Sequence, residues 1–210
     1  MSRLPPSPWH NDAGEAAVDA NPLLTFLRQW LRNPVQMAAV SPSGRELAQR
    51  MVEQLPPGAQ RVIEIGAGTG VFTRALLEHG IDPAKLLVIE VNPELSRFLH
   101  ERFPDVRIAC ADARRLRDVA AENGMLAGDQ RADAVISGLG LLMMPRSLQR
   151  EILGAAFSVL GKGGRFIQFS YGPVSPVPRS LLEELGLSVR RTATAWRNVP
   201  PANVFVYQRD

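Results

Sequence analysis

The apolar positions of this chain follow two rhythms, and the change between them falls near residue 60. Before it the spacing is helical. Asn21-Pro22 is a cap residue followed by proline at the first helical position, and Leu23, Leu24, Phe26, Leu27, Trp30 and Leu31 follow at helical intervals. Arg28, Gln29 and Arg32 lie between them, and Pro34 ends or kinks the helix. Ser43-Gly44-Arg45-Glu46 reads as a capping box that opens a second helix through Leu47, Met51, Val52 and Leu55, stopped by Pro56-Pro57-Gly58.

After residue 60, short apolar runs alternate with helical stretches. Strands are expected at 61–65, 86–91, 106–110, 132–137, 165–170, 187–196 and 203–209. Helices are expected through Phe72, Leu76 and Leu77, after Asn92-Pro93 through Leu95, Phe98 and Leu99, and from Leu148 to Leu160, with Gly161 as the stop. The strands are apolar without polar alternation, which predicts a mostly parallel sheet covered by helices on both faces. Only residues 197–202 separate the last two strands, a connection too short for a parallel crossover, so one of the pair runs antiparallel to the rest. The expectation is one α/β domain over 58–210, an N-terminal helical cover over 21–57 and a disordered tail over 1–20, where prolines and small polar residues dominate.

Composition narrows the function classes. The tail lacks the apolar core of a secretory signal, and no stretch approaches the roughly 20 apolar residues that cross a bilayer; a cytoplasmic protein is expected. One cysteine, Cys110, excludes an internal disulfide framework, and with three scattered histidines no metal site is expected. The net charge is only +3, but the sequence pI is about 9.6, and Lys85 and Lys162 are the only lysines. Arginine suits bidentate contact with phosphate. On composition alone the plainer reading, a solvated surface, stays ahead.

The sharpest chemical signal is Glu64-Ile65-Gly66-Ala67-Gly68-Thr69-Gly70, placed between a strand and a helix. Glycines there permit a tight turn and close approach of a ligand to the backbone, and the amides opening the next helix favour a negative group. The dinucleotide fingerprint G-x-G-x-x-G fails, because its third glycine falls on Val71. Glu90 closes the second strand, 20 residues after Gly70, where a carboxylate can accept both hydroxyls of a ribose. Asp112 follows the third strand, as an acceptor for a ligand or as a helix cap ahead of Arg114 and Arg115. Three successive strand ends on one sheet edge match the switch-point rule for ligands in open α/β sheets.

The G-x-G-x-G pattern resembles the first motif of class I methyltransferases. The chain as a whole resembles the soluble bacterial phospholipid N-methyltransferases, which are related to ribosomal RNA adenine dimethylases. The likeness is carried by Phe26 to Pro34, Ala39-Val40-Ser41-Pro42-Ser43-Gly44, Val62 to Gly70, Val88 to Glu94, Val135-Ile136-Ser137-Gly138-Leu139, Phe166 to Pro176 and Pro200 to Tyr207. The resemblance implies a Rossmann-like class I fold with a seven-stranded, mostly parallel sheet and an antiparallel final strand. It implies S-adenosyl-L-methionine as cofactor, S-adenosyl-L-homocysteine as product, and successive N-methylation of phosphatidylethanolamine towards phosphatidylcholine. The cofactor residues it implies are Glu64, Gly66, Ala67, Gly68, Thr69, Gly70, Glu90, Val91, Asn92, Asp112 and Ala113, with Ser137, Gly138 and Leu139 from the fourth strand. Asp112 would receive the adenine amino group.

The resemblance also implies that the N-terminal amphipathic helix binds anionic membrane, so that the protein sits peripherally on the inner membrane. Trp30 between arginines suits a headgroup layer, and the same leucines suit a lid on the core. Base-methylating relatives carry Asn or Asp before Pro-Pro-Tyr after the fourth strand. Ser137-Gly138-Leu139-Gly140 stands there instead, which argues against nucleic acid as acceptor, and Gly140 replaces a proline frequent in the phospholipid family. Tyr171, ending the fifth strand, is the candidate catalytic residue, as a hydrogen-bonding group or cage wall for the acceptor amine, against the alternative of sheet-edge packing. Arg179, Arg190, Arg191 and Arg197 are candidates for the lipid phosphate, and resemblance places Ser41 and Ser43 near the cofactor or acceptor. Two alternatives stay open: methylation of RNA adenine or a small amine, and a cofactor-binding peripheral membrane protein without turnover.

Overall fold

A computed structural model describes residues 42–198 and 200–209, with side chains from residue 44 onward. The expected tail, the helix containing Trp30, Ser41 and the Ser43 cap lie outside the described residues and side chains. The elements are α1 (Pro42–Val52), β1 (Val62–Ile65), α2 (Val71–Glu78), β2 (Leu86–Glu90), α3 (Pro93–Arg102), β3 (Arg107–Cys110), α4 (Leu116–Glu122), β4 (Ala132–Ser137), α5 (Arg146–Val159), β5 (Leu160–Ser170), α6 (Arg179–Leu185), β6 (Leu187–Ala195) and β7 (Ala202–Arg209). Short 3₁₀ turns precede β2, α4 and α5.

The seven strands form one sheet in the order β3-β2-β1-β4-β5-β7-β6. β7 runs antiparallel to both β5 and β6, and every other pairing is parallel. This is the class I methyltransferase topology.

Side chains alternate across the sheet, yet nearly all are apolar because, among the described residues, each face is roofed by three helices. Val62, Val88, Ile136, Ile167 and Val206 point to the layer of α1, α2 and α3. Ile63, Ile89, Val135, Phe166 and Phe205 point to the layer of α4, α5 and α6. Large side chains buried this way stabilise the fold by about 1.5–3 kcal/mol each. Phe166 packs on Phe157 and Tyr207, with ring centroids 6.4 and 5.7 Å away, and the buried Tyr207 hydroxyl is satisfied by Ser175 Oγ at 2.9 Å.

Local signals set several boundaries. Asn92 caps α3, its side chain accepting from the amides of Glu94 and Leu95, with Pro93 in the first turn. α1 buries Leu47, Ala48, Met51 and Val52 against the sheet layer. It is tied down at both ends: Glu46 accepts from the Arg197 amide at 2.9 Å, and Arg165 donates to the Gln54 and Leu55 carbonyls just beyond α1 at 2.8 and 3.2 Å.

One boundary differs from expectation. Gly161 does not stop a helix, because α5 ends at Val159 and Leu160 is already extended and paired with Ala132. A register shift between Ala132 and Ala134 absorbs the turn through Gly163, whose φ is 75°.

Candidate cofactor and acceptor site

The site begins where β1, β2 and β4 end together. Ile65 is level with Ile89 on one side and Ser137 on the other. The ladder runs one residue further, with the Gly66 amide on the Ile89 carbonyl at 2.8 Å and the Gly138 amide on the Ile65 carbonyl at 2.9 Å. The two loops then pass so closely that side chains are excluded. A Cβ on Gly138 would lie 2.2 Å from the Gly66 carbonyl oxygen, and one on Gly66 would lie 2.4 Å from Leu139 Cδ2. Gly68 is required for another reason. Its φ is 57°, while a Cβ there would meet nothing within 4 Å.

These loops open into a cleft of about 320 Å³. Gly66 and Leu139 form its floor, Ile89, Glu90 and Val91 one wall, and Ala111, Asp112, Ala113 and Arg114 a second. Met144, at the end of the 3₁₀ turn before α5, and Leu148 and Ile152 on α5 supply the third wall. The lining is apolar except for two carboxylates and one guanidinium, which suits a flat heterocycle carrying a sugar.

The buried Glu90 carboxylate is held by backbone: Oε2 accepts from the Gly68 amide at 2.8 Å, and Oε1 from the Asn92 amide at 2.9 Å. A carboxylate oxygen accepts two hydrogen bonds, so each oxygen keeps one acceptor position. That is the demand of a vicinal diol. Asp112 caps the turn before α4 and is gripped by Arg114 through its amide at 2.8 Å, Nε at 3.0 and 3.1 Å and Nη2 at 2.7 Å. The Arg114 hydrogen bonds hold the Asp112 carboxyl below the usual carboxylate range. Both Asp112 oxygens are fully engaged.

Beneath the loop, Glu64 is completely buried and accepts from the Thr73 hydroxyl at 2.6 Å. Burial pushes its pKa up to about 8; the Thr73 hydrogen bond opposes the shift and the charge of Glu90 adds to it. Its Oε1 and the hydroxyl of Thr69 are buried with no partner among the described residues. Orphaned buried oxygens are costly, and an acceptor and a hydroxyl beside the glycine loop match the ammonium and carboxylate of a methionyl group. With the Glu90 diol site, these residues fit an adenosyl-methionine ligand.

The sequence-predicted residues therefore separate into groups. Gly66, Glu90, Val91, Asp112, Ala113 and Leu139 line the cleft. Glu64, Ala67, Gly68, Thr69 and Gly70 form and underpin the glycine loop, and Asn92 contributes its amide to Glu90. Ser137 is buried and accepts from the Leu139 amide at 3.3 Å, and Gly138 provides the close contact with Gly66. Tyr171 does not line the cleft. It stacks edge-on to Phe169 at 5.7 Å, on the face that carries α1 and α2, and hydrogen-bonds Asn198 in the β6–β7 turn. Burial raises its pKa, keeping the phenol protonated.

Two glutamines escaped the sequence analysis. Gln168 donates to the Leu139 carbonyl at 2.9 Å and fixes the cleft floor. Gln149 donates to the Leu141, Met144 and Pro176 carbonyls, pinning the loop after β4. A polar residue inside an apolar run was their signal. Met144, Leu148 and Ile152 carried only the four-residue spacing of a core-facing helix.

The chain matches the model of a methyltransferase domain over residues 62–164. It is 28% identical over 186 residues to the ornithine lipid N-methyltransferase of Singulisphaera acidiphila, spanning 86% of this chain and 92% of that protein. It is also 34% identical over 86 residues to the ribosomal RNA small subunit methyltransferase A of a Synechococcus strain, but over only 40% of this chain and 27% of that one. Among solved structures, the magnesium protoporphyrin IX methyltransferase ChlM of Synechocystis PCC 6803 superposes with a TM-score of 0.62 at 13% identity, over 91% of this chain and 99% of that chain. Fold, cleft and domain match together define a class I S-adenosylmethionine-dependent methyltransferase, with S-adenosylmethionine as its cofactor. Within that class, its nearly end-to-end similarity relates it to the bacterial lipid N-methyltransferases.

Proposed function

We propose that this methyltransferase acts on the amine of a membrane lipid, phosphatidylethanolamine and its partly methylated forms, at a membrane surface. The observation that carries this is the similarity to ornithine lipid N-methyltransferase, which extends over 86% of the chain, whereas the similarity to the ribosomal RNA enzyme covers 40% of it. Absence of the Asn/Asp amide acceptor after β4 supports a non-base acceptor: the segment is Ser137-Gly138-Leu139, whose hydroxyl is already used within the turn. The name of that relative supports a second acceptor, an aminolipid with an ornithine headgroup.

S-adenosylmethionine supplies an electrophilic methyl group on a sulfonium. In this reading Glu90 holds the ribose, and Glu64 and Thr69 hold the methionyl end. Arg114 yields part of its grip on Asp112 when Asp112 takes the adenine amino group. Leu139, Met144 and Leu148 keep water from the sulfur side. The acceptor amine must arrive uncharged; Tyr171, which lies outside the cofactor cleft and is kept neutral by burial, is the proposed hydrogen-bonding group on the acceptor side and does not remove the proton. The segment over 21–57, where the spacing around Trp30 predicts an amphipathic helix, is the proposed membrane-facing cover.

Incubation with methyl-labelled S-adenosylmethionine and, separately, phosphatidylethanolamine vesicles, ornithine lipid vesicles or ribosomal RNA tests the assignment. Label in either lipid supports it and selects the headgroup. Label in RNA alone overturns it.

A further inference from the structure

Five large apolar residues are exposed among the described residues, and two are explained by what surrounds them: Val91 lines the cleft, and Phe98 lies under Arg102 at 5.5 Å. The other three are Leu142, Val174 and Trp196, exposed by 41, 71 and 74%. They follow β4, β5 and β6, which run parallel to one another, so all three stand on the carboxyl edge of the sheet where the cofactor cleft opens.

The three loops are one built surface. Gln149 joins the Leu141 and Pro176 carbonyls at 2.8 and 3.3 Å. Asn203 donates to the Gly172 carbonyl at 2.9 Å and accepts from the Thr194 hydroxyl at 2.8 Å. Arg191 reaches the Pro173 carbonyl at 3.4 Å, and the Arg197 amide is anchored on Glu46. The guanidinium groups of Arg191 and Arg197 are exposed, and neither is in an ion pair among the described residues.

We propose that this rim, with Trp196 and Val174 as apolar anchors and Arg191 and Arg197 as phosphate contacts, docks on an anionic phospholipid surface. The proposal rests on the lipid-acceptor reading and adds a second membrane contact, inside the catalytic domain. The chemistry of the patch selects the occupant. Its apolar groups are single side chains at separate loop tips, interleaved with arginine, as suits a headgroup layer better than the contiguous apolar core of a protein interface. A tryptophan beside unpaired arginines meets the acyl boundary and the phosphates at once. Docking by this edge brings the mouth of the cleft against the bilayer, so a headgroup amine reaches the site while its acyl chains stay in the membrane.

Of the three tryptophans, Trp196 can be isolated by Trp9→Phe and Trp30→Phe in the full chain. With S-adenosylhomocysteine bound, its emission should shift to the blue and be quenched by brominated lipid on phosphatidylglycerol–phosphatidylethanolamine vesicles, and not on phosphatidylcholine vesicles. In the natural background, V174S/W196S should weaken vesicle affinity about tenfold or more, and Arg197→Glu about fivefold or more. The V174S/W196S variant should keep its affinity for S-adenosylhomocysteine and its kcat/KM for short-chain phosphatidylethanolamine below the micelle threshold.

A vesicle-bound protein whose Trp196 is neither shifted nor quenched overturns the proposal, as does a chain that does not sediment with anionic vesicles. If V174S/W196S loses S-adenosylhomocysteine binding, the single-tryptophan chain decides alone. Quenching without methylation of any lipid sinks the acceptor assignment and leaves the docking rim standing; lipid methylation without quenching does the reverse. Emission that shifts only on adding a protein fraction, with none on vesicles, assigns the rim to a protein partner and overturns the lipid one.

Discussion

Glu64 offers a test in which the sign of the effect is set by burial. Its folded pKa is about 8 against an ordinary value of 4.5. Between those values the folded chain retains a proton that the unfolded chain has released, so stability is highest at low pH and falls as pH rises through the window. The slope approaches about 1.4 kcal/mol per pH unit, and the whole window is worth on the order of 5 kcal/mol at most. Glu64→Gln removes the titration while preserving shape. Its amide oxygen can still accept from Thr73, and no ionised carboxylate has to be buried. The variant should match the natural chain near pH 5 and exceed it by several kcal/mol near pH 8. Urea unfolding of both proteins at pH 5, 6, 7 and 8 measures this, because titrations common to the two cancel in the difference. A difference that stays within about 1 kcal/mol across the series, or one that favours the natural chain as pH rises, refutes a protonated Glu64.

Three further outcomes follow from the site. Glu90→Ala removes the acceptor of two charge-assisted bonds and should weaken S-adenosylhomocysteine binding by about a hundredfold, read by calorimetry; unchanged affinity would sink the ribose assignment. Gly138→Ala places a methyl against the Gly66 carbonyl, 2.2 Å away, and should cost about 3 kcal/mol or more in thermal unfolding. Gly68→Ala, strained but sterically open, should cost only about 1 kcal/mol, so equal losses at the two positions would contradict the loop geometry. Tyr171→Phe should lower kcat for the lipid amine at least about tenfold and leave S-adenosylhomocysteine affinity intact, and a fall in both would reassign Tyr171 to packing.

The alternation of strands and helices and the antiparallel strand within the last pair were legible in the sequence for a local reason. Apolar runs, helix caps and glycines at positive φ act over a few residues, and the lengths of the connections restrict the topology. Asn92-Pro93, for example, starts α3 where its cap predicts. Glu90 was legible as a cleft residue because its interval from the glycine loop sets it at the end of the neighbouring strand.

What the chain could not state by itself were contacts between residues far apart in sequence. Nothing local marks Gly138 as the partner of Gly66, Gln168 as the support of Leu139, or Arg165 as the tether of α1 across more than 100 positions. The same holds for Trp196 and Val174, whose exposure is a property of the assembled sheet edge and not of their composition. Spacing determines which face of an element is apolar. Only the packed fold decides whether that face meets the core, the cofactor or the solvent, because burial depends on what the other elements bring to it.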